Sequence, residues 1–151
     1  KTHYLDLVLI HSDGNDLEIL EHTDCLESLM RLKEEGLIRA VGMSTKTVEG
    51  GKRALELSDI AMVTYNSSHT EESPVIDLAR RTGKAIIVKK ALNSGHIAHE
   101  PGENELALEF VLSKAGVSSV IVGTINPVHL RSNAHAAANF QAESSSNPAP
   151  A

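Results

Sequence analysis

The sequence predicts a parallel α/β domain built from five consecutive βα units. Short apolar runs alternate with longer amphipathic patterns along nearly the whole chain. The runs are dense in Val, Ile and Leu, as strands covered on both faces are. Each is followed by residues that start or stop a helix. Consecutive units of this kind imply right-handed crossovers and a parallel sheet, either open or an arc of a barrel. Both architectures put function at the carboxyl ends of the strands.

The first strand covers Leu5–Ile10 and stops at His11, Ser12 and Asp13. The Ser-Asp-Gly-Asn that follows reads as a turn, which takes Asp13 and Asp16 with it. Thr23 and Asp24 then cap a helix whose apolar stripe is Leu26, Leu29 and Met30, ended by Gly36. Cys25, within that helix, reads as a small buried residue. The second strand is Ile38–Met43, and its helix runs from Thr47 to Leu57 despite Gly50 and Gly51. Ile60–Tyr65 is the third strand, followed by a helix with Ser73 as N-cap, Pro74 at the first helical position and Gly83 as terminator. Ala85–Val88 is the fourth, and Leu108, Val111, Leu112 and Ala115 share one helix face behind it. Ser119–Val122 is the fifth, and the helix beginning at Asn126-Pro127 carries Val128, Leu130 and Ala134 before fading after Ala138. One domain over residues 1–140 is expected, with Gln141–Ala151 as a disordered tail because it lacks apolar periodicity.

The formal net charge is −6, with no basic cluster interleaved with aromatic residues, which argues against nucleic acid as a partner. No apolar run approaches membrane-spanning length, and nothing at the start resembles a signal peptide. Cys25 is the single cysteine, leaving neither an intramolecular disulfide nor a thiolate metal cage. A reducing, cytoplasmic location is the expectation.

Function should therefore sit among the residues that leave the strands. His11 stands at such an end, with a ring able to donate or accept near neutral pH, and reads equally as a site residue or as a strand-end cap. Ser44 and Thr45 lead into a helix start, where hydroxyls cap or bind a ligand. Two lysines, Lys89 and Lys90, end an apolar strand, and at least one should reach the rim to meet an anion or a neighbouring carboxylate. Gly123 and Thr124 precede a helix start that offers N–H groups to an anion. His96 and His99 lack the order of a zinc-protease motif and are read as no metal site, while His129 and His135 read as surface residues. No dinucleotide or nucleoside-triphosphate fingerprint is present.

Taken together, these stretches resemble the carboxyl-terminal part of the aldo-keto reductase superfamily. "YLDLVLIH" resembles that family's fourth barrel strand, and "LKEEGLIRAVGMST" its next helix and fifth strand. "VTYNSSH" resembles the sixth strand, "GKAIIVKKALNSGHI" the seventh and its loop, and "VSSVIVGTINPVHLRSNA" the eighth with the following helix. The resemblance implies part of a (β/α)8 TIM barrel, with the amino-terminal units absent. It also implies NAD(P)H-dependent reduction of small aldehydes or ketones by hydride transfer.

By that resemblance His11 polarises the substrate carbonyl. Ser44, with Thr45 in place of the usual Asn, holds the nicotinamide carboxamide, and Met62 replaces a carboxamide-binding Gln. Lys89 stands where an aromatic ring stacks on the nicotinamide. Leu92 and Ser94 match the loop over the pyrophosphate, Gly123 and Thr124 the adenosine-phosphate segment, and Asn133 the residue that reads adenine. NADP(H) is the implied cofactor and NAD(H) the alternative, since Gly123 and His129 occupy positions that often carry a cation for the 2′-phosphate. The family's Asp, proton-donating Tyr and Lys come from earlier strands, so the chain is expected to be inactive alone. Self-association, or association with a missing amino-terminal half, is the expected partnership. The alternative is a non-catalytic, self-associating α/β nucleotide-binding module.

Overall fold

The computed structural model describes residues 2–93 and 102–146. It runs β1 (Leu5–His11), α1 (Asp16–His22), α2 (Cys25–Glu34), β2 (Ile38–Ser44), α3 (Val48–Leu57), β3 (Ile60–Thr64) and α4 (Ser73–Thr82). Then follow β4 (Ala85–Lys89), α5 (Glu103–Leu112), β5 (Ser119–Val120) and α6 (Pro127–Ser146). The strands form one sheet in the order β1-β2-β3-β4-β5, every neighbouring pair parallel.

That sequential order selects between the two architectures the sequence leaves open. A doubly wound sheet must reverse its strand order to place helices on both faces. A sheet wound one way, with right-handed crossovers, carries all of its helices on one face. The chain is therefore an arc of a (β/α)8 barrel.

Register partners in a parallel sheet share a face, and the two faces differ sharply. Val41, Met43, Ala61, Val63, Ile86 and Val88 point toward the helices and are fully buried, packed with Val75, Ile76 and Val111. Leu9, Ile60, Met62 and Ile87 lie on the other, concave face and are only half-buried. Both faces are apolar, which is why the strands read as continuous runs.

The glycines inside α3 are explained by close packing. A Cβ on Gly50 would fall 2.2 Å from the Asp16 Cβ, and one on Gly51 would fall 2.7 Å from a Val75 methyl. Helix α3 thus approaches α1 and α4 by its backbone, and that contact offsets a helix-propensity cost of about 1 kcal/mol per glycine. Thr47 caps the helix by accepting the Gly50 N–H at 3.0 Å. Gly83 ends α4 in the left-handed conformation, at φ 68°.

Several expectations need correction. A seven-residue helix, α1, fills part of the stretch read as a turn, and Asp16 is its first residue. Cys25 is exposed, because α2 turns Leu26 rather than its first residue inward. The N-cap of α4 is Glu72, one residue before Ser73. Strand β5 spans two residues rather than four, although Ile121 still donates its N–H to the Val88 carbonyl at 2.9 Å. Helix α6 continues past Ala138 to Ser146. Its Val128 and Leu130 are 66% and 58% exposed, although Leu130 lines an open cleft with Leu108 and Leu112 of α5.

Candidate active site

The strand ends are tied together by three buried polar groups. At β1, His11 is exposed and is the register partner of Ser44 at the end of β2. The next residue, Ser12, turns inward: its hydroxyl donates to Asp16 Oδ1 and accepts the Gly14 N–H at 2.9 Å. Asp16 Oδ2 accepts the Lys46 N–H at 2.9 Å, the Thr47 N–H at 2.8 Å and the Thr47 hydroxyl at 2.7 Å. Burial pushes the Asp16 carboxyl up, but the bonds from Ser12, Thr47 and the Lys46 backbone outweigh it, and its pKa lies below the ordinary value.

A second tie crosses the mouth. Lys89 leaves the end of β4 and reaches over β3, placing Nζ 2.9 Å from Ser44 Oγ and 2.6 Å from the Thr45 carbonyl oxygen. Beneath it lies Glu72, which is 7% exposed. Glu72 Oε2 accepts the Thr64 N–H at 2.7 Å, and Oε1 accepts the Thr45 hydroxyl at 3.4 Å. Thr64 is in turn the register partner of Lys89. Burial raises the Glu72 pKa, an effect the Thr64 N–H and the Lys89 charge only partly offset. Burial likewise lowers the Lys89 pKa against the opposing pull of Glu72.

The third tie holds the loop after β4. Asn66, 1% exposed, donates its side-chain N–H to the Lys90 carbonyl at 2.9 Å and accepts the Ser68 N–H at 2.9 Å. Lys90 and Asn93 both take positive φ, 57° and 45°. Such backbone costs of order 1–3 kcal/mol per residue and persists where surrounding bonds fix it. Two clefts flank this loop. One, of about 430 Å³, lies among Lys46, Thr64, Asn66, Glu72, Lys90 and Asn93. The other, of about 390 Å³, runs from Lys89 and Leu92 to Ile121 and Gly123.

At the last helix start, a Cβ on Gly123 would meet nothing within 4 Å. Thr124 accepts the Asn126 N–H at 3.1 Å, and Asn126 Oδ1 accepts the Val128 N–H at 2.9 Å, so two N–H groups there are held by the chain's own side chains. Asn133 is 8% exposed, its Oδ1 has no partner among the described residues, and it lines a cleft of about 360 Å³ with Leu108, Leu112, Val120 and Val122.

The structure thus brings Ser44, Thr45 and Lys89 into direct contact, with His11 in the row of Ser44, and Leu92 and Gly123 in the cleft beside Lys89. The Thr45 side chain is fully buried, its hydroxyl spent on Glu72. Met62 sits half-buried in register between Ser44 and Ile87. Asn133 lies apart, in the cleft between α5, β5 and α6. Ser94, His96 and His99 lie outside the described residues. Neither tyrosine reaches the mouth: Tyr65 is buried and stacked on Phe110 of α5 at 5.4 Å, and Tyr4 precedes β1 with the Arg39 guanidinium 5.5 Å from its ring centre. Asp16 and Glu72 are the supports that the sequence reading misses, whereas Asn66 belongs to the residues leaving the strands, where that reading looks for function. The signals of the two acids, one opening a short helix and one two residues before Pro74, are ordinary surface patterns.

The family model for the aldo/keto reductases matches residues 1–104. An uncharacterized oxidoreductase of Schizosaccharomyces pombe is 30% identical over 129 residues, covering 76% of this chain and 42% of the relative. Among solved structures, one from Pseudomonas aeruginosa assigned to the aldo-keto reductases is 48% identical, with a TM-score of 0.84 over 93% of this chain and 52% of that one. The aldo-keto reductase of Bacillus halodurans in its apo form shares the fold at 22% identity, with a TM-score of 0.76 over 89% of this chain and 56% of that one. The chain spans about half the length of these relatives. It belongs to the aldo/keto reductase family.

Proposed function

We propose that this chain is the cofactor-binding part of an NAD(P)H-dependent aldo-keto reductase acting on small aldehydes or ketones in the cytoplasm. The observation that carries the reading is the Lys89–Ser44 pairing at the strand mouth, continued by the cleft that ends at Gly123. The residues present suit a dinucleotide. Ser44 keeps its hydroxyl proton for a carboxamide oxygen, Gly123 leaves open space for a phosphate, and the orphaned Asn133 Oδ1 suits the amino group of a base. Leu92 and Ser94 would cover the pyrophosphate. Both NADP(H) and NAD(H) are compatible, since the exposed Arg131 is the nearest sequence candidate for a 2′-phosphate.

When bound, the nicotinamide supplies the hydride. His11 orients and polarises the carbonyl, while Asp16 and Glu72 hold the loop that presents Ser44. The chain has two tyrosines and neither lies at the mouth, so the proton donor comes from elsewhere and the chain alone does not turn over.

Fluorescence titration of the purified chain with NADPH should saturate, and reduction of a reactive aldehyde should be absent. No binding up to millimolar NADPH would overturn the cofactor assignment, and turnover would overturn the assignment of the acid. A second reading, a self-associating nucleotide-binding module, draws on the half-bare concave face and on Ile121 and Ile125, which are 51% and 104% exposed. Sedimentation separates the two, since that module requires dimers or larger species at micromolar concentration.

A further inference from the structure

We propose that Lys89 is a positioning residue that fixes the Ser44 hydroxyl as a donor, so that the group seated against Ser44 presents an acceptor oxygen. An ammonium carries three protons and no lone pair, so in the 2.9 Å contact Lys89 donates and Ser44 Oγ accepts. The hydroxyl proton of Ser44 is then directed away from Lys89. The same ammonium also donates to the Thr45 carbonyl oxygen at 2.6 Å, a second bond that holds it in place beside Ser44. Ser44 is 4% exposed, so solvent competes weakly for it.

Lys89 is kept at this station from below. Its register partner Thr64 donates to Glu72, and Glu72 also takes the Thr45 hydroxyl, so one carboxylate ties β3, which pairs with the strand of Lys89, to the end of β2 that the ammonium contacts. The site therefore discriminates by polarity. A carbonyl or other acceptor oxygen takes the free proton and completes the chain of bonds, whereas a donor at the same point is left with the one Oγ lone pair that the nearby ammonium does not use.

The inference rests on the cofactor reading for the identity of the ligand, but the polarity of Ser44 does not depend on it. Calorimetric dissociation constants for NADP⁺ and thionicotinamide NADP⁺ compare an oxygen with a poorly accepting sulfur at one position. The unaltered protein should prefer the oxygen form by about fivefold, the worth of one ordinary hydrogen bond. Lys89→Met should reduce that preference to below about twofold, and Lys89→Arg, another donor-only cation, should keep it. Ser44→Ala should abolish the preference and leave Lys89→Met without further effect on the ratio. A Lys89→Met variant that weakens both dinucleotides equally, with the ratio intact, overturns the proposal.

Should neither dinucleotide bind, the cofactor reading fails, and the role of Lys89 is decided in the ligand-free protein by NMR of ¹⁵N-labelled lysine. There the Lys89 ammonium signal should move on Ser44→Ala and stay unmoved on Ser113→Ala. An unmoved signal in both variants overturns the proposal.

Discussion

Thr47 gives Asp16 both its backbone N–H, at 2.8 Å, and its hydroxyl, at 2.7 Å. One carboxylate at the start of α1 thereby fixes the loop between β2 and α3, which follows directly on Ser44 at the mouth. Short-range helix chemistry and long-range site geometry meet in that single side chain.

Asp16 makes the fold acid-sensitive in a defined direction. Its folded pKa lies below the ordinary 3.8, so its stabilisation is full above about pH 4 and is lost as pH falls through the folded value. Asp16→Ala should cost about 3 kcal/mol at pH 7, since it strands two part-buried N–H groups and the Ser12 and Thr47 hydroxyls. Urea unfolding at stepped pH should show the gap between variant and parent narrowing below about pH 4. A gap independent of pH would contradict this.

Gly50→Ala should be as damaging as a core change although it improves helix propensity. The added methyl would lie 2.2 Å from the Asp16 Cβ, closer than packing allows. A loss of about 2 kcal/mol or more is expected by thermal melting, against less than about 0.5 kcal/mol for the exposed Lys52→Ala.

Glu72 behaves in the opposite sense to Asp16. Burial raises its folded pKa, so its contribution is most favourable at low pH and declines as pH rises from the ordinary 4.5 through the folded value. Glu72→Gln keeps an acceptor for the Thr64 N–H and removes the buried charge. Its stability relative to the parent should therefore improve between pH 5 and pH 8, within about 1 kcal/mol overall. Glu72→Ala, which orphans that N–H, should lose about 2 kcal/mol. Equilibrium unfolding at the two pH values measures both.

His11→Ala separates chemistry from folding. The ring is exposed, so stability should change by less than about 0.5 kcal/mol. In the complete reductase, carbonyl reduction should fall by about 100-fold if His11 polarises the substrate. Paired melting and single-turnover measurements decide it.

The strands were legible because each is a dense apolar run, and their parallel pairing follows from the helices between them. What escaped the sequence depends on partners far along the chain. Asp16 looks like turn chemistry until Lys46 and Thr47, some thirty residues later, arrive to use its carboxylate. Glu72 has the composition of a surface acid, and only the packing of β2 against β3 buries it. Cys25 was misplaced because one residue of rotation about α2 separates it from the buried Leu26. In α6, Val128 lies off the face that Leu130, Asn133 and Ala134 present to the cleft beside α5, so its apolar character does not mark a core face.

The unequal faces of the sheet divide its mutational landscape with a period of two residues. At Val63 and Val88, which are fully buried against the helices, a substitution is judged by whether the chain folds. At the neighbouring Met62 and Ile87, half-buried on the concave side, it is judged by what the mouth can hold. A saturation scan read for abundance and for ligand binding should show the two signals alternating along β3 and β4, out of step by one residue. Specificity can drift on one side of these strands without the other side registering it.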